Sequence, residues 1–160
     1  MKEKEKVESI ITKLNISTPP IPIEKVAELF SLQIIFYPKF PNNVSGAIIK
    51  KEGLNVIGVN SNHPKVRQRF SIAHELGHYI MGHDNTEYID ETFDKPTDKE
   101  QEANKFAAEI LMPRSMLKKD IEEKEYDIPL LAKRYEVSEQ AMSIRLLETG
   151  LIHKIRTPQN

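Results

Sequence analysis

The chain has 160 residues with no cysteine, 29% charged and 39% apolar residues, and a formal net charge of −1 at pH 7. The length suits one domain that can bury a core without disulfide or metal staples. The missing cysteines exclude disulfide scaffolds, cysteine-ligated zinc fingers and thiol nucleophiles, and the near-neutral charge does not favour nucleic acid as the main partner.

The opening segment MKEKEKVESIITKLN alternates charges and lacks the apolar stretch of a signal peptide. No run approaches the roughly 20 apolar residues that cross a bilayer, so the expected location is cytoplasmic. Val7, Ile10, Ile11 and Leu14 recur at helical spacing, and a second helix is expected after Pro22 with Ile23, Val26, Ala27 and Phe30 along one side. The period then changes. LQIIFYPKF, VSGAIIKK and LNVIGVN are β-rich, and Glu52-Gly53 between the last two predicts a hairpin over 44–60.

Helical spacing returns from Lys65, through Phe70, Ala73, Leu76, Gly77 and Ile80, with Gly82 as the stop. Residues 84–96 are acidic, show no sustained period and read as a connecting loop. Thr97-Asp98-Lys99-Glu100 has the form of a capping box and opens a helix that Pro113 ends or redirects. Near the C-terminus two short helical segments are split by YEVS, with Ser138 placed to cap the second and Gly150 to end it, a helix-turn-helix outline. Helices, a small sheet, then more helices give an α+β class, read as one domain over 1–160 with a core over 1–126 and a helical subregion over 127–153.

Four of the five histidines, His63, His74, His78 and His83, fall between positions 63 and 83. His74-Glu75-Leu76-Gly77-His78 is a His-Glu-x-x-His motif. On a helix its two histidines are separated by about 6 Å of rise and about 40° of rotation, so both imidazoles can reach one ion. Zn²⁺ suits neutral imidazole nitrogen and a tetrahedral site with one open position. Glu75 leaves the helix about 100° from His74, beside the ion, where it can act as a general base.

A catalytic zinc site needs a third protein ligand. The long motif with a third histidine would need Gly at position 81 and His at 84, where the chain has Met81 and Asp84. His83 would then be an outer or surface group unless a turn at Gly82 swings it inward. The remaining source is a carboxylate on the helix after Thr97, among Glu100, Glu102 and Glu109. There Ala103, Phe106, Ala107 and Ile110 form the apolar stripe, and Glu102 is the best placed, beside an alanine small enough to let two helices approach closely.

Three stretches, RFSIAHELGHYIMGH (69–83), EQEANKFAAEILMP (100–113) and, less specifically, LAKRYEVSEQAMSIRL (131–146), resemble the ImmA/IrrE family of zinc metallopeptidases. The likeness extends over most of the chain. It implies a zincin-like fold with a small twisted sheet and hairpin packed on the motif helix. It also implies one Zn²⁺ held by His74, His78 and Glu102, the Glu of the EAN triplet, with Glu75 as general base. Proteins of this kind are commonly encoded beside a helix-turn-helix repressor on phages and mobile elements and relieve repression by cleaving it. The implied substrate is therefore a protein cut at a limited site, laid along the edge of the 44–60 hairpin.

The alternative is a metal-binding transcriptional regulator, or a protein that sequesters its partner without significant peptidase activity. Residues 129–160 carry five cations, Lys133, Arg134, Arg145, Lys154 and Arg156, against Glu136, Glu139 and Glu148, which is weak for a surface that tracks phosphates. Direct nucleic-acid binding is accordingly not the leading expectation. Arg134 and Arg145 are candidates to anchor an acidic stretch of the partner protein.

Overall fold

The computed structural model of the chain describes residues 2–83, 87–91 and 97–155. In chain order these form α1 (Lys2–Lys13), α2 (Ile23–Leu29), β1 (Gln33–Tyr37), β2 (Val44–Lys51), β3 (Leu54–Asn60), α3 (Lys65–Ile80), β4 (Glu87–Glu91), α4 (Asp98–Leu111), α5 (Arg114–Glu123), α6 (Ile128–Tyr135), α7 (Glu139–Thr149) and a 3₁₀ turn (Leu151–Lys154). The class is α+β, as the pattern of periods predicts. One cluster of buried apolar side chains runs from Val7 in α1 to Leu151 beyond α7. No helix among the described residues is long and apolar enough to cross a membrane.

The sheet has the order β1-β3-β2-β4. β2 and β3 are the expected antiparallel hairpin, turned at Glu52 and Gly53, whose φ values of 48° and 78° are the pair that a two-residue hairpin with native twist requires. β1 lies parallel to β3 on the other side. β3 is thus the inner strand between two others, which is why Val56 to Asn60 are buried without alternation.

β4 corrects the sequence reading of 84–96 as a loop. Its residues pair antiparallel with β2, Ile89 opposite Ala47 and Tyr88 opposite Ile48, with a register irregularity between Val44 and Ala47. Local periodicity does not reveal so short a strand, because its partner is an unpaired sheet edge some 40 residues upstream. Residues 84–86 and 92–96 lie outside the described ones. The outer edge of β2, expected to receive an added strand, is therefore held by β4.

The junction from β3 into α3 is a polar knot. Asn60, fully buried, donates from Nδ2 to Val44 O at 2.9 Å and Pro41 O at 3.2 Å and accepts from Asn62 N at 3.0 Å. His63 belongs to this knot, its Nε2 lying 2.9 Å from Asn42 O. It therefore packs the loop before β2 and is not one of the groups that converge on a common point below.

The expected caps are present. Thr97 accepts from Glu100 N, Ser138 accepts from Ala141 N, and Gly150 ends α7 at φ 76°. α4 ends at Leu111, two residues before Pro113, and the chain is redirected there into α5, which starts at once after it. α5 and α6 are joined by Asp120, whose Oδ2 accepts from Tyr135 Oη at 2.7 Å and Arg134 Nε at 2.9 Å, while Oδ1 accepts from Arg134 Nη2 at 3.1 Å. Tyr135 is fully buried and Asp120 nearly so, hence Asp120→Ala leaves a buried hydroxyl and a half-buried guanidinium without this acceptor. The expected loss is about 2 to 3 kcal/mol of stability in urea unfolding at pH 7. A change under about 0.5 kcal/mol, the scale of ordinary surface substitutions, would contradict this reading.

Candidate metal centre

α3 runs between the sheet and α4, and every residue from Ser71 to His78 is buried. A half-polar helix segment tolerates that only if its polar groups are paired. Toward the sheet, β2 approaches through Gly46, where an added Cβ would stand 3.7 Å from Glu75 Cγ and 3.8 Å from Ser71 Cβ. Arg67 Nη2 donates to Ser45 Oγ at 3.2 Å along the same seam.

Toward α4 the approach is closer still. A Cβ on Gly77 would lie 2.9 Å from Ala103 O and 3.0 Å from Ala103 Cα, so the backbones touch where the sequence places its smallest residues. This contact sets how α4 is rotated. Around α4, Glu100 stands about 60° from Ala103 and Glu102 about 100° away on the other side. Asn104, four residues after Glu100, shares its face.

The result is a convergence of three groups. His74 Nε2 lies 3.1 Å from Glu100 Oε2, His78 Nε2 lies 2.8 Å from Glu100 Oε1, and the two Nε2 atoms are 3.2 Å apart. Both imidazoles are 1% exposed. One atom from each of His74, His78 and Glu100 falls within 4.8 Å of the other two, a grouping able to hold a metal ion. Ligands about 2.1 Å from a tetrahedral ion stand about 3.4 Å from one another, so the observed separations are close to those of a zinc site and slightly tighter. Two neutral nitrogens and one carboxylate also fit such an ion chemically.

Glu102, the expected third carboxylate, is placed elsewhere. Its Oε1 lies 2.8 Å from His83 Nε2. The EAN triplet drew the expectation to the residue next to Ala103, whereas the helix contact presents the residue one turn before it. His83 is itself 6% exposed, swung inward by the turn at Gly82, and its Nδ1 lies 2.7 Å from His78 Nδ1. His74 Nδ1 lies 2.7 Å from Asn104 Oδ1, which accepts its proton. Asn104 escaped the sequence reading, although its four-residue spacing from Glu100 carries the signal. Burial holds His78 below the usual imidazole range, with His74 and His83 pushing the same way and Glu100 opposing them. Glu75, 1% exposed, follows His74 on the side toward β2.

The family model Peptidase_M78, described as an IrrE N-terminal-like domain, matches residues 27–147. The chain belongs to that family. The match spans both motif helices, and the His74, His78 and Glu100 group could hold a metal ion, as a family of this name suggests. A comparison with curated proteins gives no match. Among solved structures, a Mycobacterium tuberculosis transcriptional regulator is similar with a TM-score of 0.64 and 20% identity, a likeness that shows the fold. It covers 91% of this chain and 46% of that one, so the chain spans less than half of that neighbour's length.

The Gly77–Ala103 contact makes a direct prediction. Gly77→Ala forces α3 and α4 apart, lowering stability by about 1 to 3 kcal/mol, and carries Glu100 away from the imidazoles. Thermal melting and a zinc titration of the variant check this, and wild-type values in both would show that the helix spacing does not set the site.

Proposed function

We propose that the chain is a zinc-dependent endopeptidase acting in the cytoplasm as one domain, its core over 1–126 and a helical subregion over 127–153. The observation that carries the reading is the convergence of His74, His78 and Glu100, with the buried carboxylate of Glu75 alongside on the same helix. An ion held there supplies Lewis acidity, polarising a peptide carbonyl and lowering the pKa of water.

The chain's own groups divide the remaining work. His74 and His78 present Nε2 toward the point of convergence, and Glu100 offers the third donor, in place of the Glu102 assignment drawn from the sequence. Glu75 is one residue and about 100° away from His74, so it stands beside the donor set and can take a proton from the attacking water and hand it to the leaving amine.

The substrate we propose is a protein cut at a limited site, a helix-turn-helix repressor of a phage or mobile element. This reading rests on the resemblance of the motif stretches to ImmA/IrrE proteins, alongside membership of the IrrE N-terminal-like family. The regulator alternative draws less support from the C-terminal helices. Arg145, the one cation of α7, is 11% exposed, paired with Glu109 and donating to Met112 O at 2.9 Å. Arg134 is committed to Asp120, and Arg156 lies outside the described residues. Neither Arg134 nor Arg145 is therefore available to anchor an acidic partner stretch as the sequence suggested.

Co-expression with the repressor encoded nearest to the gene, followed by mass measurement of fragments, tests the reading. Glu75→Gln should keep one zinc per chain while cleavage falls by about 10² to 10⁴-fold, the usual weight of a positioned base. Cleavage at the wild-type rate would remove Glu75 from its role.

A further inference from the structure

His83 and Glu102 stand just outside the donor set and are absent from the proposed chemistry. α3 ends in a turn that folds residue 83 back over residue 78. Gly82 takes φ 75°, its N–H donates to Tyr79 O at 3.2 Å, and His83 N–H donates to His78 O at 3.0 Å. Backbone and side chain of residue 83 therefore both engage residue 78, with ring centroids 4.9 Å apart. The far nitrogen of His83 meets Glu102 Oε1 at 2.8 Å.

Proton bookkeeping along this line has one solution that leaves His78 Nε2 with a lone pair. A neutral imidazole carries a single N–H. If His78 offers Nε2 as a donor atom, its proton sits on Nδ1 and points at His83 Nδ1, which must accept it. The proton of His83 then sits on Nε2 and points at Glu102, and an ionised carboxylate only accepts. Glu102 thus selects the tautomer of His83, and His83 selects that of His78. Asn104 does the same for His74 in one step, through its Oδ1 at 2.7 Å.

We propose that His83 and Glu102 act as one positioning pair that fixes the ring and tautomer of His78. The proposal rests on the metal-site reading, and it gives Glu102 a role through His83 in place of direct ligation. Partners of this type are worth about 10- to 100-fold in metal affinity.

The test measures zinc affinity of the full chain by competition with a chromophoric chelator, with Co²⁺ absorption as a probe of ligand geometry. His83→Ala and Glu102→Ala should each bind one ion per chain about 10- to 100-fold more weakly, with an altered Co²⁺ spectrum. Their double variant should be no weaker than His83→Ala alone, because Glu102 reaches His78 through His83. Glu102→Gln, which keeps an acceptor oxygen, should lie closer to wild type than Glu102→Ala. Should His83→Ala fail to fold, Glu102→Ala carries the test, since that side chain is 41% exposed and outside the core. Wild-type affinity in both single variants, losses that multiply in the double variant, or loss of stoichiometric binding in Glu102→Ala alone would each overturn the pair. A wild-type chain that takes up no zinc would instead remove the metal-site reading beneath it.

Discussion

The site depends on one close contact, Gly77 of α3 against Ala103 of α4, where there is no room for a further methyl group. Helix surfaces normally stand 8 to 10 Å apart between axes, and small residues at the crossing bring them toward the lower limit. At that spacing a glutamate on α4 reaches imidazoles on α3 without an extended search, and the rotation of α4 decides which glutamate it is. The same contact brings Asn104 to His74 and Glu102 to His83. Packing of two apolar faces thereby arranges a polar centre that neither helix could arrange alone.

Burial gives that centre its chemistry. His74, Glu75 and His78 are each 1% exposed, and groups so placed are costly unless they are paired or bound to an ion. The outward nitrogens of the two imidazoles meet Asn104 and His83, and their inward nitrogens converge with Glu100. Desolvation lowers the pKa of His78, favouring the neutral ring that a divalent ion requires. The arrangement thus links fold stability to the ionic state of the site: His74 and His78 can be this deeply buried because they have partners on α4 and on the turn at Gly82.

Much of this was readable from residue spacing, because it depends on neighbours along the chain. The pairing of His74 with His78, the position of Glu75, the hairpin at Glu52-Gly53, and the caps at Thr97, Ser138 and Gly150 all follow from helical or strand periodicity and turn chemistry. What was not readable depends on contacts far apart in sequence. Glu100 and Glu102 flank the same stripe, and only the docking of α4 on α3 chooses between them. β4 exists because β2 has an edge to offer, and the internal pairing of Arg134 with Asp120 and of Arg145 with Glu109 becomes visible only once α5, α6 and α7 are packed. Even His83, suspected of swinging inward, needed the αL turn at Gly82 to show that it meets the back of His78 rather than the front.

The central claim is the proposal that the His74, His78 and Glu100 group, which could hold a metal ion, binds one divalent ion. X-ray absorption at the zinc edge of the loaded protein addresses it most directly. The account predicts one ion with two imidazoles and light oxygen donors at about 2.0 to 2.1 Å, with both imidazole signatures lost in His74→Ala/His78→Ala and the oxygen shell changed in Glu100→Ala. A zinc shell without histidine, or one that Glu100→Ala leaves untouched, would contradict it.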